Sequence, residues 1–151
     1  MNVWKKLVIV YGSVSVALLL LIGVHTYTQT DAIREAAIRF HIHQFPQIRF
    51  VSINGKDPDD EFLSRFRDLK GLVRKGSQSL HDPQGQHKLG TYYVDRSTGE
   101  QGDPLSLFDI TWQNPLKAQI KSNSSQNGLT LFLEKNLAGW RVVNYKQRWA
   151  A

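Results

Sequence analysis

Residues 53–66, INGKDPDDEFLSRF, hold the decision about the fold. Asp57, Asp59, Asp60 and Glu61 crowd four carboxylates into five positions, next to Lys56, Arg65 and Arg67. Such a run is either an acidic site, for a metal or for proton transfer, or the start of a helix. Helix initiation accounts for every acid in it. Asp57 suits the N-cap, and Pro58 suits the first helical position because it has no donor to lose there. Asp59, Asp60 and Glu61 then fill the first turn, whose free backbone donors attract negative charge. Phe62, Leu63, Phe66 and Leu69 follow on one face, and Arg65 stands four residues after Glu61, the spacing of a helical ion pair. A calcium loop alternates oxygen ligands around an internal glycine, and this run does not.

Upstream, IRFVSI (48–53) is β-branched and aromatic and predicts a strand that closes at Asn54-Gly55. Before it, TDAIREAAIRFHIHQFP (30–46) predicts a helix capped by Thr30 or Asp31. Its apolar face is Ile33, Ala36, Ala37 and Phe40, and Pro46 ends it near Phe45. Downstream the helical period gives way to strands: LVRKGSQS (72–79), TYYVD (91–95), LSLFDITW (105–112), LKAQIK (116–121), LTLFLEK (129–135) and GWRVVNYKQRW (139–149). Alternation puts Phe108, Ile110 and Trp112 on one face, and Leu116, Ala118 and Ile120 inward. In the last segment Val143, Tyr145 and Trp149 share a face, with Trp140 and Val142 opposite. Asn127-Gly128 is a hairpin signal, and Gly139 turns the last strand back. Helices first and strands later imply an α+β fold, with helices packed on one face of a curved antiparallel sheet.

The amino terminus adds a different element. Residues 7–24, LVIVYGSVSVALLLLIGV, carry no charge. As a helix they extend about 27 Å, against a hydrocarbon core of about 30 Å. Lys5 and Lys6 precede them and no basic residue follows until Arg34, which orients the amino terminus inward. The stretch is longer than a signal-peptide core and lacks an A-x-A-like site. The expectation is a signal anchor: residues 1–27 as a cytoplasmic stub and transmembrane helix, residues 28–151 as an exported domain, and a single-pass membrane protein of a bacterial envelope.

The 151 residues suffice for one domain, and 41% hydrophobic content predicts a packed core. The absence of cysteine excludes disulfides, thiolate metal sites and cysteine nucleophiles. Net charge is +6, and over 117–151 six basic residues face one acid, with Trp140, Tyr145 and Trp149 among them. Basic residues interleaved with aromatics fit nucleic-acid stacking, but an exported domain meets little nucleic acid, so none is expected as a partner.

The stretches INGKDPDDEFLSRFRD, VRKGSQS, ITW and GWRVVNYKQRW resemble a group of small bacterial proteins with an amino-terminal hydrophobic segment. In that group a GKDP…EFL…RF stretch precedes a V…KGS stretch. The resemblance implies a membrane-anchored or exported protein and supplies no activity or catalytic residue. The helix-then-sheet order and the closing hairpin also resemble NTF2-like and cystatin-like domains, whose cone between sheet and helix is either a ligand pocket or packed core.

Chemistry-bearing candidates are few. His41 and His43 lie about 200° apart around a helix and cannot share a metal there. His81, Asp82 and His87 flank a loop rich in Pro, Gly and Gln. Asp109, between Phe108 and Ile110, is a candidate acid or base if half-buried, and otherwise a solvent-facing strand residue. Binding candidates are Asp109, Trp112, Trp140 and Tyr145; no metal and no cofactor are expected. The function expected is non-enzymatic: an anchored accessory protein whose exported domain binds a protein partner or an anionic envelope component. The alternative is a ligand-binding or enzymatic NTF2-like pocket.

Overall fold

The computed structural model describes residues 14–16, 29–82 and 92–150. The chain forms two units, Met1–Ala32 and Ile33–Ala151. In the first, residues 14–16 and 29–32 are helical. No helix among the described residues is long and apolar enough to cross a membrane. That finding corrects the expected transmembrane anchor. The single-pass membrane location, the exported placement of the second unit and the membrane as a partner rested on the anchor and are corrected with it. Apart from Val14–Val16, the segment 7–24 lies outside the described residues.

The second unit is mostly sheet. Its helical residues 33–44 are designated α1. The strands are β1 (Ile48–Ile53), β2 (Val73–Lys75), β3 (Ser79–Asp82), β4 (Tyr92–Asp95), β5 (Gln101–Asn114), β6 (Lys117–Ser124), β7 (Asn127–Asn136) and β8 (Gly139–Ala150). A short helix, α2 (Asp60–Ser64), lies between β1 and β2. The sheet runs β2-β1-β5-β6-β7-β8, with β4 on the start of β5 and β3 on β4.

The expected all-antiparallel sheet is also corrected, and with it the NTF2-like or cystatin-like order. β1 runs parallel to both neighbours, Arg49 opposite Val73 on one side and Ile48 opposite Gly102 on the other. Parallel neighbours need a crossover, and the stretch containing α2 supplies it. The sequence of β1 explains its place. Ile48, Arg49, Phe50 and Val51 are all buried, as a strand covered on both faces requires. Phe50 lies over Gly102, where a Cβ would come within 2.6 Å of the ring and 2.9 Å of the Ile48 carbonyl oxygen.

The core sits on one face of the sheet. Ile33, Ala37, Ile38 and Ile42 of α1, with Phe62 and Phe66, pack on Val51, Leu105, Leu107, Ile120, Leu131 and Leu133. The acidic run initiates α2, two residues later than the sequence places it. Asp59 is the N-cap, its carboxylate accepting from Phe62 N at 2.7 Å. Asp57 instead takes the backbone N–H of Ser77 at 2.9 Å and the Ser77 hydroxyl, tying the crossover to the far side of β2. Asp60 pairs with Lys75 at 2.8 Å.

Four register shifts interrupt the β5–β6 and β7–β8 pairings, and two of them decide which large side chains face the helix. Between Leu107 and Ile110, β5 carries an extra residue relative to β6, so Ile110 and Trp112 join the Leu107 face and not the Phe108 face. In β8 one extra residue is Val143, Val142 opposing Leu133 while Tyr145 opposes Leu131, and a second is Arg148, between Gln147 opposite Leu129 and Trp149 opposite Gly128. Val142 and Tyr145, expected on opposite faces, therefore share the helix-covered face. β8 is an edge strand of the sheet and not the inner strand its apolar content implies. The β6–β7 turn falls at Ser125 and Gln126, and Asn127-Gly128 already belongs to β7. Gly128 is there for space: a Cβ would lie 2.2 Å from Trp149 Nε1.

Candidate functional site

The C-terminal end of α1 lies over the sheet, bonded to β6 through His41 and Ser122 and facing Arg49 of β1. A cavity of about 240 Å³ remains there. Its floor is polar although it lies in the core. Arg49, on the helix-facing side of β1, is 2% exposed, and its Nη1 donates to Asp103 Oδ2 on β5. Its Nη2 points at carbonyls around the C-terminus of α1, that of His41 at 3.5 Å and that of Phe45, just past the helix, at 3.4 Å, where a cation is favoured. The other oxygen of Asp103 accepts from the Ser125 hydroxyl and from Ser125 N at 3.3 Å. One ion pair thus joins the end of α1, β1, β5 and the β6–β7 turn around the cavity. Burial pulls the Arg49 guanidinium below its ordinary value, with Asp103 opposing the shift. Arg49 Nε has no partner among the described residues.

His41 forms part of the wall. Its Nε2 and Ser122 Oγ share a hydrogen bond of 2.9 Å. Desolvation, and secondarily the Arg49 charge, push the imidazole down to about 4, so it is neutral at pH 7. Ser122 is fully buried, so the pair fixes α1 to β6 and offers no reachable nucleophile.

The mouth is lined by amides. Gln44 and Gln47 come from the end of α1 and the segment after it, Gln126 and Asn127 from the β6–β7 turn, and Gln147 from β8. The side chains of Gln44, Gln47 and Gln126 are solvent-exposed. Phe40 and Tyr145 meet at 5.6 Å between ring centroids on one side, and Phe45 closes the other. A second groove, about 470 Å³, lies on the opposite face along Phe50, Ser52, Asp57 and Gly76. Its polar groups are spent: Asp57 holds Ser77, Ser52 bonds Ser106 at 3.0 Å, and Ser79 donates to the Gly76 carbonyl.

The candidates read from the sequence do not form one site. Tyr145 lines the cavity. Trp112 and Trp140 stack edge to face at 5.6 Å near the other end of β5–β8, where Ala118 opposes both Trp112 and Leu133. Asp109 is exposed and accepts from Asn54 Nδ2 at 2.8 Å, holding the turn in which Asn54 takes a φ of 50°. The cavity's acid is Asp103 instead. Sequence reasoning missed Arg49 and Asp103, and weighed His41 only as a metal ligand. The one available signal was Arg49 itself, a charge alternating with Val51 and Ile53 on the face that period-two reading assigns to the core. His87 and the side chain of Asp82 lie outside the described residues; His81 stacks on Tyr93 at 5.5 Å. Among the described residues no group of three potential ligands is placed to hold a metal. Comparison with family models, curated proteins and solved structures gives no match for the chain.

Proposed function

We propose that the second unit is a binding domain for a small polar molecule, taken up between the end of α1 and strands β6–β8. The observation that carries this reading is the cavity itself: a buried ion pair braces its floor, while the exposed side-chain amides of Gln44, Gln47 and Gln126 at its mouth have no protein partner among the described residues. A site made of a few convergent polar groups and aromatic walls is the ordinary form of a small-molecule pocket. The reading is binding and not catalysis, because its one histidine–serine pair is buried and neutral. The experiment is a screen of polar fragments against the ¹⁵N-labelled protein. Shifts clustering at Gln44, Gln126, Tyr145 and Gln147, abolished by Gln147→Trp at the mouth, are expected; hits scattered elsewhere on the domain would overturn it.

A second reading, an anionic partner on the opposite sheet face, is favoured by one observation. Lys117, Lys121, Arg141 and Lys146 share that face with Phe132, by their register against Glu134 and Thr130, and Glu134 neutralises Lys117 at 2.7 Å. Binding there would weaken steeply with salt, whereas cavity binding would not.

A further inference from the structure

We infer that the ligand of this cavity is a neutral polyhydroxylated molecule of monosaccharide size. The inference rests on the small-molecule reading of the same cavity and adds the ligand's chemistry.

Charge is the first argument. Arg49 and Asp103 are the cation and the anion of the cavity wall, and they are bonded to each other. Arg49 Nη2 is turned to the carbonyls of His41 and Phe45, leaving only Nε unpartnered among the described residues, and the second oxygen of Asp103 is turned to Ser125. A charged ligand would find no free counter-charge and would lose its hydration without compensation. A neutral ligand meets no such cost.

Hydrogen-bond capacity is the second. Gln44, Gln47 and Gln126 keep their side-chain amides free of protein partners among the described residues, and Gln147 spends only a 3.5 Å contact on the Trp149 carbonyl. Each amide presents donors and an acceptor side by side. A hydroxyl is also donor and acceptor at once, so neighbouring hydroxyls satisfy both ends of an amide. A carboxylate only accepts and would leave amide oxygens unmatched; an ammonium only donates and would leave amide N–H groups unmatched.

Shape is the third. Tyr145 is 54% exposed and meets Phe40 at a tilt of 52°, so an open ring face borders the amides. A pyranose presents C–H groups on one face and hydroxyls around its rim, which matches a wall of rings beside a rim of amides. The cavity measures about 240 Å³. That space takes a molecule of roughly a dozen non-hydrogen atoms and lies below the roughly 300–1,000 Å³ of drug-sized pockets.

The test uses one scaffold in three charge states. Glucose, glucuronate and glucosamine, with N-acetylglucosamine, galactose and ribose as further neutral probes, are titrated into the ¹⁵N-labelled intact chain. At least one neutral sugar is expected to shift the side-chain amides of Gln44, Gln126 and Gln147 saturably. Its affinity should exceed that of its charged counterpart by about tenfold or more. Gln126→Ala and Tyr145→Ala should each weaken it by about tenfold; Gln126→Ala, at an exposed turn position, should leave the unfolding midpoint unchanged, while Tyr145→Ala, which removes a ring packed on Phe40, should lower the midpoint and still unfold cooperatively. Equal or tighter binding of glucuronate or glucosamine would overturn the inference, as would silence from every neutral sugar. In either case, if polar fragments still shift the cavity residues, the pocket reading survives and only the ligand class is lost. If neither fragments nor sugars act at the cavity, both fall.

Discussion

His41 makes the stability of the second unit depend on pH in a window where little else does. The imidazole is 4% exposed, bonded to Ser122 and adjacent to Arg49, and these surroundings lower it from 6.5 to about 4. Because the folded value lies below the unfolded one, the unfolded chain takes up a proton first. The stability due to the neutral imidazole is complete above pH 6.5 and is lost as pH falls towards 4; below that both states are protonated and the loss stops. At about 1.4 kcal/mol per unit, the full difference is about 3 kcal/mol, of which about 2 kcal/mol is gone by pH 5. The carboxylates held low, Asp57 by Ser77, Asp95 by Ser97 and Arg74, and Glu134 by Lys117, run in the same direction at lower pH. Their contributions are present above the ordinary carboxylate values and fade as pH drops through the depressed ones. Urea unfolding at pH 7.5, 6.5, 5.5, 5.0 and 4.5, for the protein and for His41→Gln, isolates the imidazole by difference. The parent should lose about 2 kcal/mol more than the variant between pH 7.5 and 5.0. Parallel profiles, or a His41 ring that titrates near 6.5 in the folded protein, would refute the reasoning.

The other expectations concern the frame around the cavity. Arg49→Met leaves Asp103 buried without its cation and should cost about 3–5 kcal/mol, and Asp103→Leu in the same chain should recover most of it, read from urea midpoints. Gly102→Ala drives a methyl into Phe50 and the Ile48 carbonyl, atoms that cannot retreat, and should cost about 1–3 kcal/mol. Gly128→Ala meets only the half-exposed Trp149 ring and should cost less; its signature is a change in Trp149 fluorescence. Ending the chain at Ala138 uncovers Leu129, Leu131 and Leu133 and should abolish cooperative unfolding, while Trp140→Ala, which removes the partner of Trp112, should lower stability by about 3 kcal/mol.

The sequence determined what depends on a residue and its near neighbours. Asp59, Asp60 and Glu61 start a helix because free N–H groups attract them, and Phe62 on its buried face and Phe66 just beyond it enter the core. Strict alternation in 117–121 and 129–133 marked the faces of β6 and β7, since side-chain period two is a property of any extended chain. Tertiary structure decided what depends on who the neighbour is. β1 became a doubly covered parallel strand, and nothing inside IRFVSI records the direction of β5 or β2. The β5 bulge between Leu107 and Ile110 and the β8 bulge at Val143 moved Trp112 and Tyr145 to the helix-covered face, because an unpaired residue inverts the positions after it until the next bulge. The cavity draws residues from positions 40 to 147, and its ion pair spans 54 residues. Local periodicity carries no information about such pairs. Arg49 is tolerable inside the core because the parallel register of β1 and β5 brings Asp103 beside its Nη1 and the end of α1 turns carbonyls toward its Nη2.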